Sequence, residues 1–215
     1  MVTAAVAVGL YFHPDRMGFQ EIGWMGAQAV ALTHGDPLAF LPGAVVAHLI
    51  SRCLRDHETP LRKIVEEALK ALDDQFGREY RQAGQVISCV RTALKYVDDY
   101  SVFPVDAMEK LRCDTGADIL AGAIYAALIY ERDFDSAMIV AANHSGRSAA
   151  VACVAGAILG ARCGEEALPE FYMEGLEVAP VLLELADDLI QGCPMVRGNK
   201  LFDGDWDRKY LHGEP

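Results

Sequence analysis

Apolar residues recur at three- and four-residue intervals along almost the whole chain, the spacing of one face of an α-helix. Between Gly18 and Thr33 they fall at Phe19, Ile22, Gly26, Ala29 and Val30. His34-Gly35 then supplies a stop, glycine being the usual residue past a helix C-terminus. Asp36-Pro37 opens the next helix, a capping carboxylate followed by proline at the first helical position. Its inner face is Leu38, Leu41, Val45, His48 and Leu49. Thr59-Pro60 repeats the start signal and leads into an amphipathic helix with Ile64, Val65, Ala68, Leu69 and Leu72 inward. Further helices are predicted from about Arg81 to Tyr96 and from Asp133 to Ala142. Between them, the Asp114-Thr115 cap predicts one with Ile119, Leu120, Ala123, Ile124 and Ala127 inward.

Arg147 to Cys163 has a different pattern. It is apolar all round, with Ala149, Ala152, Gly156 and Gly160 as a stripe of small residues, which predicts a central helix closely approached by neighbours. Pro169 and Pro180 start two more helices, to about Val178 and Leu189, and the chain from Gly192 onward is loop-like. The one β-rich stretch is Val2 to Phe12, and it makes no convincing strand. The expected fold is all-α, a single helical domain over 1–192 with a C-terminal tail, 193–215, packing on it.

Composition narrows the function classes. The 215 residues are 52% hydrophobic and 23% charged, as in a globular chain with a sizeable core. Nineteen Lys plus Arg against 31 Asp plus Glu give a formal charge of -12 without a basic block, which speaks against nucleic acid and anionic membrane as partners. The six cysteines (Cys53, Cys89, Cys113, Cys153, Cys163 and Cys193) form no CxxC pair and read as free thiols. The small apolar run Ala149 to Ala161 is too short to span a bilayer. Val2 to Phe12 lacks both a basic flank and a cleavage site, so the expected location is the cytoplasm. No GxSxG elbow, activated cysteine, GxGxxG loop or Walker segment occurs.

Two stretches carry a resemblance. Ala31 to Ala44, reading ALTHGDPLAFLPGA, is similar to the ALTHGxPxGYLxAGA segment of the bacterial ADP-ribosylglycohydrolases, the family of the dinitrogenase reductase-activating glycohydrolase. Asp133-Phe134 through Asn143-His144-Ser145-Gly146 and on to Gly156-Ala161 resembles that family's DFxxALxxAVNHSGDSDSTxxIxGNxLGA. Val8-Gly9-Leu10-Tyr11 is similar to its PVGLY, and Asp205 to Tyr210 to its terminal WxxKY. The set runs in family order over nearly the whole chain. It implies a compact multi-helix ADP-ribosylglycohydrolase-like bundle, here the C-terminal portion without the family's N-terminal helices.

The departures concern metal. The family is expected to hold two magnesium ions between an N-terminal Thr-Asp-Asp segment, which would precede this chain, and the DSD of the later motif. Arg147, Ser148 and Ala149 stand at the DSD positions, so both carboxylates are gone. Magnesium needs hard oxygen ligands. Alanine offers none, and Arg147 places a fixed positive charge where a dication would sit. No metal, no cofactor and no catalytic residue are therefore assigned.

By resemblance the ligand-binding candidates are Asn143, His144, Ser145, Gly146, Arg147, Ser148 and His34. Each has a plainer reading. His34 caps carbonyls at a helix end, His144 bonds backbone, and Ser145-Gly146 either cradles a phosphate or sugar oxygen or is an ordinary N-cap. His48 is core-facing. Arg147, placed in the first helical turn, is expected to pair with an acidic group of the protein, with a bound phosphate or a solvated side chain as the alternatives. The expected function is a metal-free, catalytically impaired family member, a pseudoenzyme, that keeps an ADP-ribose-like ligand or a partner protein. The alternative is an active ADP-ribosyl hydrolase completed by a partner chain carrying the missing segment. A homo-oligomer or heterocomplex would cover the apolar edge Val2 to Tyr11.

Overall fold

The computed structural model describes residues 1–191 and 204–212, and the chain falls into two units, Met1–Tyr172 and Met173–Pro215. The first unit runs through α1 (Ala4–Tyr11), α2 (Phe19–Ala31), α3 (Pro37–Cys53), α4 (Leu61–Phe76) and α5 (Gln82–Asp98). It continues with α6 (Pro104–Leu111), α7 (Gly116–Ile129), α8 (Phe134–Ala142) and α9 (Ser148–Cys163). Strands are absent among the described residues, and Val2 to Phe12 folds as α1.

Three starts follow the capping residues. Asp36 accepts the Leu38 amide at 2.7 Å, Asp133 accepts the Ser136 amide at 3.1 Å, and Thr115 and Asp118 exchange side-chain and backbone bonds in a capping box. Each such cap is worth about 1 kcal/mol. The stop after α2 comes earlier than the glycine suggests: Leu32 is the cap and His34-Gly35 lies beyond it. α6 has no polar cap, which is why the apolar spacing alone did not predict it; Phe103 precedes Pro104 at its first position.

Two helices are buried on all sides: every residue of α3 from Phe40 to Ser51 and of α7 from Ile119 to Ala127 is buried, and α1, α2, α4, α5, α7 and α9 all pack on α3. α2 approaches it most closely. A Cβ on Gly26 would stand 2.5 Å from the Gly43 carbonyl oxygen, and one on Gly43 2.8 Å from that of Gly26, so the two backbones touch directly. Any larger residue at this crossing would force the helices apart, at roughly 1–3 kcal/mol for overpacking.

α9 departs from the expected central helix. Ala150, Val151, Val154, Ala155, Ile158, Leu159 and Ala161 are buried, but Ala149 and Cys153 are exposed and a Cβ on Gly160 would meet open space. Small apolar side chains on an outer face expose little area and cost little, so an all-apolar pattern overstates burial. The helix expected from Pro169 to Val178 is also replaced, by a short 3-10 turn, Glu170–Tyr172; another, Glu165–Ala167, precedes it. Tyr172 there donates to Asp135 at 2.8 Å and meets Phe134 edge-on.

The second unit contains α10 (Ala179–Gln191) and α11 (Gly204–Asp207), which runs on into a π-turn, Arg208–His212. The Lys209 ammonium reaches the carboxylates of Glu184 and Asp188, and the Tyr210 hydroxyl donates to Asp188. Of the expected 193–215 tail, residues 193–203 and 213–215 lie outside the described residues. The cysteines among the described residues are free thiols, and no described helix is long and apolar enough to cross a membrane.

His48 generates a measurable pH dependence. It is 6% exposed on α3, its ring 5.6 Å from that of Phe19, and neither nitrogen has a hydrogen-bond partner. Burial, and then the Arg52 charge, pull its pKa from 6.5 to about 4. Well above pH 6.5 the imidazole is neutral folded or unfolded and contributes no pH dependence. As pH falls through that value only the unfolded chain takes the proton, so stability drops until about pH 4, by at most about 3 kcal/mol. Urea unfolding at pH 7 and pH 4 should show the wild type losing more stability than His48→Leu, by up to this amount. Equal losses in both proteins would remove His48 as the cause.

Candidate functional site

Residues Asn143 to Arg147 turn the chain between α8 and α9, and this corner is built almost entirely from its own hydrogen bonds. Asn143 donates to the Ile139 carbonyl at 2.7 Å. His144 Nδ1 accepts the Gly146 amide at 3.1 Å. That leaves Nε2 as the protonated nitrogen, facing the Ala141 carbonyl at 3.1 Å, so backbone engages both sides of the ring. The Arg147 amide donates to the Cys113 carbonyl at 3.0 Å, and the Ser148 amide to the Gly146 carbonyl at 2.9 Å.

The α6–α7 loop presses on this corner. A Cβ on Gly146 would stand 2.2 Å from the Arg112 carbonyl oxygen and 2.8 Å from Cys113 Cβ, so no other residue fits without displacing the loop. That loop is strained: Arg112 has φ 65 and ψ -41, Cys113 has φ 54, and the Cys113 amide closes a γ-turn on the Leu111 carbonyl at 2.7 Å. Positive φ at two successive non-glycine residues costs on the order of 1–3 kcal/mol each. Cys113 is fully buried there, and burial, followed by Asp118, Asp114 and Glu109, pushes its thiol up to about 12. It is no nucleophile.

Ser145 is held differently, by a side chain from another helix. Glu109 of α6 accepts the Ser145 amide at 2.8 Å on one carboxylate oxygen and the Ser145 hydroxyl on the other. These two bonds, the hydroxyl's first, hold the Glu109 carboxyl below the usual carboxylate range.

The electrostatics of the helix starts decide what the corner can attract. α3 and α7 begin with their own carboxylates, Asp36 and Asp118, beside the positive ends of their dipoles. α9 has no acid in its first turn and carries Arg147 at the N-cap itself. The expected ion pair of Arg147 with an acidic group does not form: its side chain is exposed and no carboxylate among the described residues pairs with it. The reason is that the acids nearby are already committed. Glu109 serves Ser145, Asp118 serves Thr115, and Asp114 pairs with Arg112 at 3.5 Å. Sequence reasoning missed Glu109 because it reaches Ser145 across 36 residues, from an α6 that no polar cap announced.

The other candidates lie apart in their bonding. His34 is exposed, its Nδ1 2.8 Å from the Thr33 hydroxyl and 3.2 Å from the N-terminal ammonium, with no bond to residues 143–148. Ser148 is half-buried at the first position of α9, and Ala149 beside it is exposed. No group of three His, Cys, Asp or Glu side chains among the described residues is placed to hold a metal ion. A small pocket lined by Glu131, Arg132, Phe134, Leu159, Cys163 and Ala167 lies toward the other end of α9, roughly 20 Å along the helix. Its one carboxylate is already paired with Arg162 at 3.2 Å.

A family model described as ADP-ribosylglycohydrolase matches residues 1–199. No curated protein and no solved structure matches the chain.

Gly146→Ala tests the packing of the corner. The new methyl would collide with the Arg112 carbonyl, and overpacking of this kind should destabilise the protein by roughly 1–3 kcal/mol in urea unfolding. An unchanged midpoint would mean that the γ-turn yields freely and does not fix the corner.

Proposed function

The chain belongs to the ADP-ribosylglycohydrolase family, and on that premise we propose that it is a metal-free, catalytically impaired member that keeps an ADP-ribose-like anionic ligand at the α8–α9 corner. The observation that carries this reading is Arg147. It is an exposed guanidinium without an acidic partner among the described residues, at the N-cap of a 16-residue helix with no acid in its first turn. Helix dipole and side chain add with the same sign there.

Magnesium does not fit these residues. Of the three DSD positions only Ser148 keeps a side-chain oxygen, and the corner's own carboxylate, Glu109, has both oxygens on Ser145. A unit positive charge 4 Å from a dication costs about 2 kcal/mol even at the dielectric of water. A phosphate meets the opposite balance, because Arg's planar fork suits its oxygens. Free thiols suit the same protein to the cytoplasm.

Calorimetric titration with magnesium should give no saturable binding at micromolar concentration, whereas millimolar ADP-ribose should raise the melting temperature. Arg147→Ala removes a charge-assisted bond worth about 1.5–3 kcal/mol, roughly a ten- to hundredfold loss of affinity. Stoichiometric magnesium binding would overturn the metal-free reading. An equal ADP-ribose shift in the wild type and the variant would overturn the role of Arg147.

A second element of the proposal is association. α1 has no charged side chain and packs on α2 and α3 through Val2, Ala5 and Gly9. Met1 just before it and Tyr11 at its end stay exposed, as do Trp24 of the adjoining α2 and, at 86%, its C-cap Leu32. Apolar surface of this kind marks an interface, and a second copy of the chain or a partner protein would cover it. Light scattering at micromolar concentration should report an oligomer that Leu32→Glu weakens. A wild-type monomer, eluted without any co-purifying chain, would contradict this.

A further inference from the structure

The corner already holds an anion, and the protein supplies it. Four amides in a row, Ser145 to Ser148, are engaged within the chain. Two of them bond backbone carbonyls, those of Cys113 and Gly146, and a third bonds the half-buried His144 ring, whose other nitrogen is held on the Ala141 carbonyl. The fourth, Ser145, is bonded by a carboxylate on an exposed, rotatable side chain. The same carboxylate takes the Ser145 hydroxyl. Two donors, set on a backbone fixed by Gly146 and Arg147, are thus covered by the one group at the corner that is free to swing away.

We infer that Glu109 is an internal competitor, a carboxylate that occupies the Ser145 donors an anionic ligand must use and has to be displaced before one can bind. The inference rests on the ligand reading above and adds its regulation. The geometry is that of a carboxylate standing in for a phosphate: two acceptor oxygens on one amide and one hydroxyl. An ADP-ribose diphosphate entering beside Arg147 would meet Glu109 as a like charge, so it must lose either the Ser145 donors or the carboxylate. Opening needs only side-chain rotation of Glu109, whose carboxylate ends outside the helix, and leaves the γ-turn and the Gly146 contact intact.

Two readouts test this, one of them independent of ligand. In Glu109→Ala, hydrogen exchange at the Ser145 amide should accelerate at least about tenfold, while the Arg147 amide, bonded to Cys113, stays protected. Calorimetry with ADP-ribose should then show at least about tenfold tighter binding to Glu109→Ala than to the wild type, with Glu109→Gln between them. Unchanged exchange at Ser145 would show that the contact does not hold in solution and would overturn the inference. Faster exchange with equal ADP-ribose affinity in both proteins would overturn the competition while leaving the ligand reading in place. Faster exchange with no ADP-ribose binding to any of the three proteins would overturn the ligand reading itself, and the competition with it.

Discussion

Gly146 lets the turn between α8 and α9 lie directly on the backbone of the α6–α7 loop, and the geometry of the site depends on that contact. The carbonyl of Arg112 stands where a side chain at 146 would begin. With the two loops in touch, the Cys113 carbonyl receives the Arg147 amide and Glu109 comes within reach of Ser145. The contact is anchored in turn on α3: α7 packs on that buried helix, and its first residue, Gly116, lies against Leu38 and Ala39. A strained γ-turn persists at Arg112 because its surroundings over-determine it.

On this frame, charge sets the chemistry. An acidic pair at the start of α9 would sit well with the positive end of the dipole and could draw a cation against it. Arg147 and Ala149 reverse the balance. The dipole term is about 0.3–1 kcal/mol at an exposed helix end, and the direct repulsion of a dication by a guanidinium is larger. Both act in one direction, against metal and toward an anion. Glu109 is the available internal anion, yet it binds the Ser145 donors rather than the guanidinium. A hydrogen-bonded carboxylate on fixed donors is favoured over a loose ion pair between two solvated side chains.

Much of the fold was legible in the sequence, because helix periodicity and polar caps are local signals. Asp36, Thr115 and Asp133 open their helices where expected, and the inner face of α4 follows the three-and-four spacing, whereas α3 and α7 are buried all round instead of along one face. The failures have physical causes. α6 begins on Phe103-Pro104 without a capping side chain. α9 looked central because alanine and glycine are apolar by composition but small enough to sit on an outer face. Pro169 started a 3-10 turn rather than a helix. The candidate site was legible only as a position along the chain. The Arg147-Ser148-Ala149 segment can be read directly, whereas the bond from Glu109 to Ser145, the γ-turn at Arg112 and the unpaired state of Arg147 depend on contacts between distant segments.

The claim at the centre of this account is that the start of α9 accepts anions and rejects divalent cations. Residue-resolved NMR with two probes measures it most directly, because paramagnetic manganese broadens the amide signals of residues within its reach and ADP-ribose shifts those it touches. The account predicts that sub-stoichiometric manganese leaves the amides of 143–149 as sharp as the rest of the chain, and that ADP-ribose shifts the signals of Ser145, Arg147 and their neighbours. Selective broadening of 143–149 by manganese, with no response to ADP-ribose, would contradict it.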